Sequence, residues 1–191
     1  VSNTSRHITI AHTLRTAEVW KDEAKLFFPY FLDFRGRIYC RVSHLSPQGT
    51  GLAKALLEFA DGKPIGTQEA ADWLAIHVAN SWGKDKLPFS ERIQWVKDNQ
   101  EMLLAVARNP YENRQWATMD LSEAWLALAS AFEWAGYVRE GLAFVSRIPV
   151  GMDGTCSGLQ HYAALLRDEG TARQVNVCPG DRPADVYRTV A

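Results

Sequence analysis

Cysteine is scarce in this chain, and its three copies, Cys40, Cys156 and Cys178, make an odd number without C-x-x-C spacing. That pattern supplies neither a disulfide framework nor a structural zinc site, and it points to a reducing, cytosol-type compartment. No run of about 18 apolar residues occurs, which argues against a membrane-spanning helix. Basic excess is missing too. The net charge is −1, with 21 Lys and Arg against 22 Asp and Glu, so a nucleic-acid partner has to be held by a local cationic cluster. There is no internal repeat and no low-complexity tract. The opening Val1-Ser-Asn-Thr-Ser-Arg-His7 has no initiator Met and no signal-peptide core, and the last residues read as an unclosed helix. Both ends are expected to be cuts within a larger protein. Apolar residues are plentiful, at 47% with seven Trp and eight Phe. With 191 residues, the chain can form one well-cored domain or part of a larger one.

Hydrophobic spacing predicts a helix over 8–27, stopped by Pro29, and a short helix over 52–59, followed by a turn at Asp61-Gly-Lys-Pro64. Thr67 is placed to cap a helix reaching Ser81, with Trp73, Leu74, Ile76, His77 and Val78 on a broad apolar face. His77 has no His or Cys at metal-ligand spacing and reads as a core histidine. Ser90 is expected to cap a helix to Arg108, and a further helix runs from Ser122 to Trp134, ending at Gly136. The Trp-rich faces have the helical period of a core.

The stretch that organises the chain is Leu142 to Tyr162. Leu142 to Val150 is apolar and β-rich, broken by Pro149, and reads as a strand. Met152-Asp153-Gly154 then sets a short carboxylate at the strand's end, and Ser157 is a good N-cap for a helix from Gly158 to Arg167. A carboxylate there, beside Gly and facing a helix N-terminus, can hold a hard cation and phosphate oxygens. Asp-Gly is equally an ordinary turn dipeptide whose carboxylate binds only its own backbone. A third reading takes Gly154-Thr-Cys-Ser-Gly158 as a nucleophile elbow around Cys156. That reading needs a later base, and no His follows His161.

Phe28 to Val42 reads as two short strands with Gly36 at the bend. Arg35, Arg37 and Arg41 are interleaved with aromatics, and guanidinium groups bind phosphate in bidentate fashion. The competing reading pairs these arginines with Asp33 on a solvated face.

Asp153-Gly-Thr-Cys-Ser-Gly-Leu-Gln-His-Tyr162 with Leu166-Arg-Asp168 closely resembles the palm motif of single-subunit DNA-dependent RNA polymerases. These are the enzymes of bacteriophages, mitochondria and chloroplasts. Asp33-Phe-Arg-Gly-Arg37 resembles their motif that contacts template and RNA–DNA hybrid, and Val175 to Tyr187 resembles a third segment in the same order. The resemblance runs from about Phe28 to Ala191. It implies that Asp153 is the first catalytic carboxylate and a Mg²⁺ ligand, with the Gly154 carbonyl beside it and two Mg²⁺ ions in the complete enzyme. It implies nucleic-acid contacts by Asp33, Arg35 and Arg37, with Arg37 on the backbone and Asp33 orienting the arginines. Tyr187 would lie beside the incoming nucleotide, on a helix begun by Asp181 or Pro183. Ser157, Gln160 and His161 would support the turn. The implied partners are a DNA template, an RNA transcript and nucleoside triphosphates, with no membrane and a monomeric complete enzyme.

The expected fold is α/β (α+β), a right-hand palm fragment. Its small, mostly antiparallel sheet would draw on 30–43 and 142–151 and be edged by helices. Residues 1–27 would connect to it, and 28–191 would form the partial palm, with a helical scaffold at 52–136 and the aspartate motif at 142–168. The family's His-Asp-Ser motif and its fingers Lys and Tyr do not occur in these residues, so the chain alone is expected to be inactive. The alternative is a non-catalytic nucleic-acid-binding remnant. The expected setting is the cytoplasm of a phage-infected or prophage-carrying bacterium, with the mitochondrion as alternative.

Overall fold

The structure is a computed structural model that describes residues 3–152, 154–180 and 182–190. The first helix, α1 (Asn3–Trp20), has no acidic first turn, no basic last turn and no apolar stripe. It is held through one buried residue. The Thr13 hydroxyl donates to the Thr9 carbonyl at 2.9 Å and lies 3.4 Å from the His44 carbonyl, while the His12 and His44 rings stack at 5.0 Å. The helix predicted over 8–27 therefore starts earlier and stops at Trp20. With no face to bury, its last turns have nothing to gain, and Lys25 instead reaches Asp61 at 3.0 Å.

The core is helical. Helices α2 (Gly51–Ala55), α3 (Gln68–Ser81), α4 (Phe89–Asp98), α5 (Gln100–Arg108) and α6 (Leu121–Glu140) follow in order. Leu74, Val78 and Trp82 from α3 and its end meet Val96 of α4, Leu103 and Val106 of α5, and Ala127, Ala131 and Trp134 of α6. The alanines let the helices of this cluster approach closely, and the Trp rings fill what remains. Thr67 caps α3 as expected, its hydroxyl accepting from the Ala70 N–H at 3.2 Å. The single helix expected from Ser90 to Arg108 is two, broken at Asn99, whose side chain donates to the Trp95 carbonyl at 2.8 Å. Such a side-chain bond competes with the helical ladder. The stop expected at Gly136 is also displaced. Gly136 lies inside α6 because the Phe144 ring packs where a Cβ would stand, and the helix ends at Gly141, with φ 64°.

Among the described residues, four short strands form two antiparallel ribbons: β1 (Tyr30–Leu32) with β2 (Ile38–Cys40), and β3 (Lys63–Pro64) with β4 (Val145–Ser146). The α+β character is as expected, but the described residues do not form one sheet. Leu142 and Ala143 lie in a 3-10 turn, and Pro149 has no N–H to extend a ladder, so only Val145–Ser146 pairs. Its partner is the segment read as a turn at 61–64. Beyond it lie α7 (Ser157–Leu166), α8 (Glu169–Gln174) and α9 (Val186–Val190), around a second small core of Ala163, Ala172, Val175 and Val186. No described helix is long and apolar enough to cross a membrane.

Candidate active-site turn and nucleic-acid interface

The β1–β2 hairpin is organised by Asp33. One carboxylate oxygen accepts the backbone N–H groups of Arg35 and Arg37 at 2.8 and 3.0 Å, and the other accepts the Arg35 guanidinium at 2.9 and 3.0 Å. These bonds hold the Asp33 carboxyl below the ordinary carboxylate range, the Arg37 N–H contributing most. Gly36, at φ 77°, takes the left-handed position that the turn demands. Arg35 also reaches the Tyr39 hydroxyl at 3.2 Å and lies over the Phe34 ring. Arg37 is exposed, and its guanidinium makes no ion pair among the described residues. The two readings of the cluster therefore divide by residue, with Arg35 paired to Asp33 and Arg37 available. Gln48 completes the hairpin: its amide donates to the Ile38 carbonyl at 3.0 Å and accepts from the Cys40 N–H at 2.6 Å.

The segment leading toward Asp153 is clamped from two sides. On one side, a Glu133 carboxylate oxygen on α6 accepts the Ser146 hydroxyl at 2.5 Å and the N–H groups of Arg147 and Ile148 at 3.0 and 3.4 Å. On the other, the Phe59 N–H donates to the Arg147 carbonyl at 2.9 Å, and the Arg147 guanidinium binds the Ala60 carbonyl. Beyond the clamp the chain comes to the surface, with Val150 and Met152 exposed. Asp153, the expected catalytic carboxylate, lies outside the described residues, as does Asp181.

After the turn, Cys156 takes a left-handed φ of 51° and stands at the cap position of α7, without a side-chain capping bond. Ser157 is thus the first helical residue and not the N-cap expected of it, because the chain reverses one residue earlier. Gln160 does brace this region, donating to the Val175 carbonyl at 2.8 Å, with its oxygen packed against Gly154. His161 is exposed and has no hydrogen bond or ion pair among the described residues. Tyr187 is 70% exposed, and its hydroxyl accepts from the Cys156 thiol at 2.9 Å. The contact with Cys156 raises the Tyr187 pKa above the ordinary phenol value. A nucleophilic thiol needs an adjacent base; Cys156 has a phenol, which removes the support for the elbow reading. The helix carrying Tyr187 begins at Val186, and Asp185 caps it, accepting the N–H groups of Tyr187 and Arg188 at 3.1 and 3.3 Å. Pro183 lies in the loop before it. Sequence reasoning missed Gln48, Glu133 and Asn176, whose partners are chiefly backbone groups with no signature of their own.

His77 faces a cavity of about 580 Å³ shared with Lys54, Glu58, Phe132, Glu133 and Ile148. Burial pushes its pKa below the ordinary 6.5, and Glu133 opposes the shift. The folded state therefore binds fewer protons than the unfolded chain just below pH 6.5, and stability falls as pH drops from there until the folded His77 also titrates. We expect the urea midpoint to decline between pH 7 and about 5.5, and His77→Gln to flatten that decline. An identical decline in the variant would contradict it.

Known proteins share this arrangement of sequence. The family described as DNA-dependent RNA polymerase matches residues 63–191. T7 RNA polymerase of Escherichia phage T7 is 43% identical over 187 residues, covering 98% of this chain and 21% of that protein. The mitochondrial DNA-directed RNA polymerase of Schizosaccharomyces pombe is 42% identical over 190 residues, 98% of this chain and 16% of its own length. The human mitochondrial enzyme is 41% identical over 187 residues, 96% of this chain and 14% of its own. The chain thus spans about a fifth or less of the length of these curated relatives. With nearly all of its sequence aligned to them, the chain belongs to the DNA-dependent RNA polymerase family, of the single-subunit kind found in phages and mitochondria.

Proposed function

We propose that this chain is the part of a DNA-directed RNA polymerase that carries its first catalytic carboxylate, and that the parent enzyme extends RNA from nucleoside triphosphates on a DNA template. The observation that carries this reading is the clamped segment 146–148 ahead of the Asp153 motif and the start of α7 after it.

The chain's own donors there are oxygens, the Asp153 carboxylate and the Gly154 carbonyl, and hard oxygen donors suit Mg²⁺. Further oxygens would come from nucleotide phosphates and from another part of the parent. Two bound Mg²⁺ ions would lower the pKa of the attacking 3′-hydroxyl and neutralise charge on the departing pyrophosphate. The protein's part is placement. Glu133 fixes the approach to Asp153, Gln160 supports the turn, and Tyr187 is presented beside it. Asp33 holds Arg35 in the hairpin and leaves Arg37 to bind a phosphate of the nucleic-acid backbone. The isolated chain is inferred not to polymerise, since His-Asp-Ser and the fingers Lys and Tyr do not occur in it. Phage and mitochondrial relatives match it at 43% and 42% identity; we place it in the cytoplasm of an infected bacterium on the wording of Ser46-Pro-Gln-Gly49.

Two experiments test the proposal. Grafted into T7 RNA polymerase in place of the matching segment, the chain should support templated RNA synthesis; a folded graft that makes no RNA would refute the reading. In the isolated chain, Arg37→Ala should weaken binding to an RNA–DNA hybrid and lower the slope of log affinity against log salt by about one phosphate contact. Arg35→Ala should instead unsettle the hairpin. A slope indifferent to Arg37 would remove it from the interface.

A further inference from the structure

We propose that Asn176 is a positioning residue that locks the helix of Tyr187 onto the turn following Asp153; the role of Tyr187 beside the nucleotide rests on the function proposed above. Asn176 follows the end of α8 and has a φ of 60°. The Val177 N–H closes back on the Ala172 carbonyl at 2.9 Å, as at many helix ends where Gly or Asn takes the left-handed position. The bland account stops there, with Asn176 as a helix terminator. Its side chain goes further.

The Asn176 amide nitrogen donates to the Thr155 hydroxyl at 3.1 Å and to the Ala184 carbonyl at 2.9 Å, while its oxygen accepts from the Ala184 N–H at 2.7 Å. Ala184 fixes the orientation of the amide, because its N–H must meet an oxygen and its carbonyl must meet a donor. All three bonds go to two other segments, the Thr155 bend 21 residues earlier and the loop that enters α9, eight residues later. Around them, Cys156 meets Tyr187, and the Thr189 hydroxyl meets Gln174 at 3.0 Å. Val186 and Cys156 share the small core with Val175. One amide therefore sets the distance between the turn and the face of α9 that carries Tyr187.

Asn176→Gly separates the two accounts, because Gly keeps the left-handed backbone and removes only the amide. In the full chain, iodoacetamide labelling read by peptide mass spectrometry follows Cys156, with Cys40 as internal reference. We expect Asn176→Gly to speed Cys156 labelling by at least about tenfold, as the loss of three modest hydrogen bonds implies, and hydrogen exchange of 184–190 to rise with it. Thr155→Ala, which removes one arm, should give a smaller increase of about threefold. It also serves if the Gly variant fails to fold. In the T7 graft, Asn176→Gly should raise the nucleotide KM about tenfold with kcat within about twofold, as for a residue that orients a binding group. Unchanged labelling and unchanged exchange in a folded Asn176→Gly chain would overturn the proposal. The chemical readouts decide it even if the wild-type graft makes no RNA, an outcome that would count against the function and not against Asn176.

Discussion

Asp153→Asn in the T7 graft should abolish templated RNA synthesis, lowering the rate by about a thousandfold or more. The substitution keeps the shape of the side chain and removes its charge. A bound metal contributes several kcal/mol of charge stabilisation to such a transition state, and each 1.36 kcal/mol is a factor of about ten in rate. Single-turnover extension of an RNA primer on a DNA template reads the chemical step directly. Cys156→Ser is the matched control. A serine hydroxyl can still bond Tyr187, so synthesis should persist, whereas the elbow reading makes Cys156 the residue that matters. Retention of activity within about tenfold of wild type in Asp153→Asn, a loss of under about 1.4 kcal/mol, would remove that carboxylate from the reaction.

Glu133→Ala should destabilise the scaffold by about 2–4 kcal/mol, since hydrogen bonds to a charged group are worth more than neutral ones. Its carboxylate serves one hydroxyl and two backbone N–H groups, and alanine leaves the part-buried Ser146 hydroxyl and Ile148 N–H without that acceptor. Glu133→Gln retains an oxygen and should recover roughly half of the loss, because neutral acceptors are about half as strong. Urea unfolding of the chain measures both. A midpoint for Glu133→Ala equal to that of wild type would show that the strand before Asp153 is held by other means.

The parts of this molecule legible in its sequence were those with a local signature. Thr67 followed by an apolar helical period gave α3 and its cap, and Asp33-Phe-Arg-Gly-Arg37 gave the hairpin. The wording from Asp153 to Tyr162 carried family membership, which no periodicity could have supplied. The β3–β4 ribbon was not legible, because strands of two residues have no period and Lys63-Pro64 looks like a turn. The break at Asn99 depends on one side chain choosing the Trp95 carbonyl, and the left-handed Cys156 on a reversal that its residue type does not announce. Glu133, Gln48 and Asn176 escaped notice for a common reason. Each binds backbone groups distant in sequence, and backbone is the same at every position.

The Gln48 amide has a consequence for how the protein behaves in company. The β1–β2 ribbon carries Phe27, Leu32, Phe34 and Ile38 largely exposed on or beside it, a composition that invites a second copy to add a strand. Strand addition requires free N–H and C=O groups along the outer edge of β2. Gln48 already occupies the Ile38 carbonyl and the Cys40 N–H, so that edge is closed to a neighbour of its own kind. The hairpin can thus remain uncovered without seeding aggregation along that edge.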